Sequence, residues 1–147
     1  MIEKSNLDKP ILGFSDTETV KLDFDDMPFR KVKYWAFKIM KRFKLQGCII
    51  LKSSKNNYHA VFNRSVSWSE NMKIAAWVSL LSHNQAMTKY LQMQCIKESS
   101  TLRVSEKLAK ASPRVVFRYG RQDRQINSFL EFRRVIKAME RRLTSKP

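Results

Sequence analysis

The hydrophobic period changes three times between Val20 and Phe62, and that succession limits the fold more than any other feature of the chain. Val20–Asp25 alternates, with Val20, Leu22 and Phe24 on one side and Lys21, Asp23 and Asp25 on the other, the mark of a strand. Asp26 and Pro28 supply helix-start chemistry. From Phe29 to about Lys44 the apolar residues Phe29, Val32, Ala36, Ile39, Met40 and Phe43 recur at helical spacing, and Gly47 is expected to end that helix. Cys48–Leu51 is a continuous apolar run, as in a central strand. A turn-rich stretch from Ser53 to Asn57 then leads to a partner strand at Tyr58–Phe62.

The rest of the chain completes the pattern. Ser67 and Glu70 match a capping box ahead of a helix that carries Ile74, Trp77, Val78 and Leu81. A break near His83-Asn84 separates it from a second helical piece, Met87 to Ile96. Leu102–Ser105 and Arg114–Tyr119 read as strands around a basic loop, Lys107–Pro113, and Ile126 to Leu143 as a basic amphipathic helix. The order is β-α-β-β-α-β with a strand and a basic helix appended: an α+β chain with a ferredoxin-like or RNA-recognition-motif-like core. Residues 1–19 are expected to form an irregular arm and residues 20–147 one domain.

Charge is distributed very unevenly. The chain carries a net +16 over 147 residues, while apolar residues make up 43%, so it is neither a disordered basic tail nor a neutral globule. Met1–Met27 has seven acids against three lysines, whereas Pro28–Arg64 has ten Lys/Arg and no acid. Arg103–Pro147 is basic again. A polyanion is the natural partner of such a surface, and nucleic acid the first candidate. Lys38, Lys41 and Arg42 on the first helix, and Arg133, Arg134 and Lys137 on the last, are candidate phosphate contacts. Tyr58 and Tyr119 read first as core aromatics and second as stacking platforms. Cys48 and Cys95 lack metal-ligand spacing and read as buried thiols. The polar start of the chain and the absence of a bilayer-length apolar run suggest an intracellular protein, cytoplasmic or nucleoid-associated.

The acids invite a more specific expectation. Asp23 and Asp25, two apart on a strand, share one face with Cα atoms about 6.5–7 Å apart. Carboxylates so placed can flank a hard cation such as Mg²⁺ or Mn²⁺, though ordinary solvent-facing acids have the same spacing. His59 lies on a strand directly after Ser53, Ser54 and Lys55, whose hydroxyls, backbone N–H groups and single cation can meet a phosphate. The two histidines, His59 and His83, are too far apart in sequence for a paired-histidine nuclease motif, and no serine or cysteine nucleophile constellation is present.

Leu22-Asp23-Phe24-Asp25-Asp26 resembles the first motif of the archaeo-eukaryotic primase superfamily, a D-x-D on the first core strand. Ser54-Lys55-Asn56-Asn57-Tyr58-His59-Ala60-Val61-Phe62 resembles its second motif, a Ser-led turn leading to a histidine on a strand, with asparagines where members often have glycines. Leu102-Arg103-Val104-Ser105-Glu106-Lys107 is similar to a basic stretch found further along in some members. The resemblance runs from Val20 to Lys107. It implies that Asp23 and Asp25 bind catalytic Mg²⁺ or Mn²⁺, and that His59, Ser54 and Lys55 hold the phosphates of a nucleoside triphosphate. Arg103 and Lys107 would line the same channel. The family's third motif is an acid on a later strand, for which Glu98 is the nearest candidate by order and Glu106 the next. The function so implied is a minimal primase or DNA polymerase, a nucleotidyltransferase of replication, with DNA favoured over RNA. A non-catalytic DNA-binding replication or regulatory protein on the same fold, or an RNA-binding protein, fits the same charge.

Overall fold

The computed structural model describes residues 10–107 and 110–145. The protein is α+β. In chain order its elements are β1 (Gly13–Asp16), β2 (Thr19–Phe24), α1 (Phe29–Phe43), β3 (Gly47–Ser54), β4 (Asn57–Ser65) and α2 (Trp68–Ser82). They continue as α3 (Gln85–Lys97), β5 (Ser100–Arg103), β6 (Arg114–Gly120) and α4 (Arg124–Ser145). The main sheet is antiparallel with strand order β2-β4-β3-β6, and β1 and β5 form a separate two-stranded ladder. The βαββαβ succession is therefore present, with β6 added at the β3 edge.

Each face of the sheet has its own cover. Val20, Leu22, Phe24, Ala60 and Phe62 are sealed beneath α1, α2 and α3. There Phe29 stacks on Tyr58 at 5.4 Å, and the Tyr90 hydroxyl donates to the Lys21 carbonyl at 2.8 Å. The alternate side chains face α4 and the β1–β5 ribbon. Ile126 and Phe129 of α4 are fully buried, and Phe129 meets Phe14 edge-on at 5.4 Å. Lys21, on the nominally polar side of β2, is only 1% exposed; it pairs with Asp16 and lies over the Phe14 ring.

Several local expectations need correcting. The arm expected over residues 1–19 contains β1, whose Gly13–Asp16 register against Ser100–Arg103 ties it to the end of the core. Residues 1–9 lie outside the described residues. Asp16 accepts from both the backbone N–H and the hydroxyl of Thr19, which turns β1 into β2. The strand expected at Leu102–Ser105 spans Ser100–Arg103, because its partner is β1. It packs beside β2, but its ladder goes to the arm.

The first helix ends before Gly47. Lys44 takes the left-handed conformation (φ 56°) at its C-cap and donates to the Met40 carbonyl. Gly47 instead opens β3, where an added Cβ would lie 2.0 Å from the Arg121 carbonyl oxygen. Asp26 is not the N-cap; Pro28 takes that position, with no side-chain cap bond. Ser67 does cap α2, accepting from the Glu70 N–H at 3.1 Å, but the Glu70 carboxylate turns to Arg64 rather than closing the capping box. Cys48 is buried, and burial pushes its thiol up to about 12; Cys95 is exposed on α3, contrary to expectation.

Candidate active site

The site lies where the cover over the second sheet face stops. Residues 19, 21 and 23 of β2 share that face. Thr19 and Lys21 are closed over, while the Asp23 side chain is 29% exposed. Asp23 pairs with His59 directly across the β2–β4 ladder, so the two side chains emerge together. They line a cleft of about 400 Å³ with Asp25, Asp26, Arg103 and Lys107. Strands β2, β4 and β5, the turn after β2 and the basic loop after β5 thus bring five of the sequence candidates to one place: Asp23, Asp25, His59, Arg103 and Lys107.

The geometry of the acid turn is fixed by hydrogen bonds from two directions. Asn84, at the N-cap of α3, accepts from Met87 N–H at 2.9 Å and donates its amide to the Asp25 carbonyl at 2.9 Å. From the β3–β4 hairpin, Asn57 accepts from the Asp26 N–H at 3.1 Å, and the Asn56 carbonyl accepts from Met27 N–H at 2.9 Å. The hairpin itself turns through Asn56 in the left-handed region (φ 59°), which asparagine tolerates better than most residues. The asparagines standing where glycines were expected therefore have structural work: one makes the turn and the other latches it to the acids.

Electrostatics at the site are unusual. Burial, followed by the adjacent Asp25, raises the Asp23 carboxyl far out of the ordinary carboxylate range; Arg103 and Lys107 only partly oppose this. Burial, with Arg103 adding to it, lowers His59 to about 3, so its imidazole is neutral. His59 Nε2 lies 3.7 Å from Asp23 Oδ1, too far for a hydrogen bond. Asp23 Oδ1 and His59 Nδ1 are both buried without a hydrogen-bond partner in the protein. Each such orphan costs a fold about 1–3 kcal/mol. On the same face the neighbouring positions Leu51 and Val61 are apolar, so a polar pair here is not imposed by packing.

A divalent ion fits this donor set. Two carboxylates, Asp23 on β2 and Asp25 just past its end, one with an orphaned oxygen, match a small hard cation that takes its remaining ligands from phosphate and water. Among the described residues no cluster of three His, Cys, Asp or Glu has metal-binding geometry. Arg103 is held by carbonyl contacts to Ser105 and Ala111. Lys107 and Lys110 exchange backbone hydrogen bonds at 2.9 and 2.7 Å, which brings both lysines to the rim.

Other candidates fall elsewhere. Glu98 is exposed at the C-cap of α3 (φ 59°) and does not line the cleft; a strand position was needed, and the helix ends there instead. Glu106 also lies outside it, its N–H donating to Glu140. The third carboxylate lining the cleft is Asp26, adjacent to the pair. Lys55 is exposed in the hairpin turn and the Ser54 hydroxyl accepts from Asn57; of the three phosphate candidates in this turn Ser53 lines the cleft, beside Asn57. On α4, Arg133 donates to the Pro113 carbonyl and Arg134 pairs with Glu131, whereas Lys137 is half-buried. Lys38, Lys41 and Arg42 are exposed on α1. Sequence reasoning missed Asp26, Asn57, Asn84 and Lys110 as parts of the site; only Asp26, next to the D-x-D, carried a local signal.

No family model, curated protein or solved structure matches the chain. Among the described residues, no helix is long and apolar enough to cross a membrane.

Proposed function

We propose that this chain is a nucleic-acid-binding nucleotidyltransferase of primase-polymerase type, its cleft built to hold a nucleoside triphosphate and Mg²⁺ or Mn²⁺. One observation carries the reading: Asp23 and His59 are cross-strand partners, both with orphaned polar atoms, in a cleft whose other wall is Arg103 and Lys107. Acids and cations in one cavity are complementary to a ligand that is itself a cation–polyphosphate pair.

In this reading Asp23 and Asp25 would hold the ion, which would supply charge neutralisation for the triphosphate; the primer 3′-oxygen bonds to the α-phosphorus, pyrophosphate leaves, and the hydroxyl proton passes to water. Arg103, with Lys107 and Lys110 at the rim, binds the phosphate oxygens. His59, neutral and fixed in the sheet, presents a ring N–H to a phosphate oxygen. Asn57 and Asn84 act as positioning residues through the backbone of Asp25 and Asp26.

A second reading, a non-catalytic DNA-binding replication or regulatory protein on the same fold, is favoured by the position of Glu98 away from the cleft. Titration calorimetry of a triphosphate with Mn²⁺ separates the two. The enzyme reading expects metal-dependent binding that Asp23→Asn abolishes. Absence of triphosphate binding by the folded wild type, alongside retained DNA affinity, would establish the second reading.

A further inference from the structure

The outer face of α1 carries a feature the cleft does not use. The buried stripe of this helix is Val32, Ala36, Ile39 and Met40. Tyr34 and Phe37 lie off that stripe and are 52% and 39% exposed; Tyr119 of β6 beside them is 49% exposed, contrary to its expected core role. Phe37 and Tyr119 meet edge-on at 4.6 Å, which sets their rings in a fixed relation. Lys38 Nζ lies 5.3 Å from the centre of the Tyr34 ring. Tyr34, Phe37 and Trp77 line an open groove of about 750 Å³ with Lys38, Lys41 and Arg42.

The pattern along the helix identifies the occupant. Aromatic and cationic residues interleave on the same face: Lys38 follows Tyr34 by four residues, and Lys41 follows Phe37 by four. A membrane-surface helix instead segregates its apolar and cationic faces, and the apolar face of α1 is already spent on the core. No acid occurs anywhere from Pro28 to Arg64, so the groove has a single sign of charge. Rings spaced among cations match a chain of unpaired bases on a phosphate backbone; a duplex hides its base faces.

We infer that the outer face of α1, from the groove it shares with Trp77 of α2 across to Tyr119 of β6 beside Phe37, binds single-stranded nucleic acid by stacking bases on Tyr34 and Tyr119 while Lys38, Lys41 and Arg42 contact the phosphates. The surface is continuous with the acid cleft. Tyr34 also lines a neighbouring groove with Lys31 and Asn84, and Asp26 lines both that groove and the cleft. The strand's path from the aromatic groove thus leads to the acids. The inference goes beyond the cleft chemistry and does not depend on it.

The test is fluorescence anisotropy with a labelled oligothymidylate and an abasic oligonucleotide of equal length, in EDTA and without triphosphate, so that the cleft's proposed ligands are absent. Tyr34→Ala and Tyr119→Ala are each expected to weaken oligothymidylate binding by about tenfold, the effect of losing one stacked base, and abasic binding by less than about twofold. Tyr34→Phe, which keeps the ring, should restore the affinity. The triple variant Lys38→Gln/Lys41→Gln/Arg42→Gln should weaken both oligonucleotides and lower the slope of log affinity against log salt by about 2. Equal wild-type affinity for the two oligonucleotides, with no effect of the tyrosine variants, would reduce the groove to a non-specific anion site and overturn the inference. Tyrosine-dependent binding to phosphatidylserine vesicles without a preference for oligothymidylate would overturn it in favour of a membrane.

Discussion

The acid cleft and the outer face of α1 both carry cations, but they are built in opposite ways. In the cleft, Arg103, Lys107 and Lys110 surround carboxylates and a neutral histidine, and the hydrogen bonds of Asn57 and Asn84 lock the acid turn. On α1 the cations stand on one exposed helix face, with aromatic rings rather than acids between them. A phosphate approaching α1 meets cations alone, whereas one entering the cleft also meets the carboxyl groups of Asp23 and Asp25. The difference separates a surface suited to tracking a polymer from a cavity suited to a discrete metal–polyphosphate ligand.

Four variants press on that contrast, in order of falling effect. Arg103→Ala should weaken metal–triphosphate binding by about tenfold to a hundredfold, the cost of losing a charge-assisted contact. Calorimetry would read this, and oligothymidylate affinity in EDTA should change by less than about twofold. The converse variant, the Lys38/Lys41/Arg42 triple, should leave calorimetric triphosphate binding intact while flattening the salt dependence of oligonucleotide binding. A loss of both activities in either variant would merge the two regions into one site. Asn84→Ala should cost about 1 kcal/mol or somewhat more in urea unfolding through the lost α3 cap, and should weaken triphosphate binding because Asp25 loses its tether.

The subtlest test concerns pH. His59 has its folded value lowered to about 3 by burial and Arg103, so the unfolded state binds the extra proton first. Stability should therefore fall as pH drops from about 6.5 toward 3. Asp23 runs the other way: its folded value is raised by burial and Asp25, so metal-free stability should fall as pH rises above about 4, where the unfolded carboxyl ionises. Asp23→Asn should therefore stabilise the metal-free protein, more at pH 8 than at pH 5, as read by thermal melts.

How much of this was legible in the sequence follows from the range of the interactions. The alternation of Val20–Asp25 and the stripe of α1 report local burial, and β2 and α1 fall within a residue or so of expectation. The grouping of Asp23 with His59 came from the resemblance of their two motifs, while the shared face comes from the β2–β4 register, a tertiary feature. The pairing of β1 with β5 was not, because it joins residues more than eighty apart in a segment with no strand period of its own. Lys21 looked like a solvent-facing lysine because nothing in β2 reveals that Asp16 and Phe14 close over it. Asn57 and Asn84 looked like a turn and a helix break, and their second bonds, to Asp26 and Asp25, come from the tertiary fold. Glu98 follows the two motifs in order along the chain, and order says nothing of the helix terminus it occupies.

The most direct measurement is a ¹H–¹⁵N correlation spectrum of the full chain with a nucleoside triphosphate present, recorded before and after adding substoichiometric Mn²⁺. The account expects paramagnetic broadening strongest at Asp23, Asp25, Asp26, His59 and Arg103 and weakest at the far end of α1, Lys41 and Arg42. Broadening absent from the Asp23–Asp25 segment, or centred on another part of the surface, would contradict it.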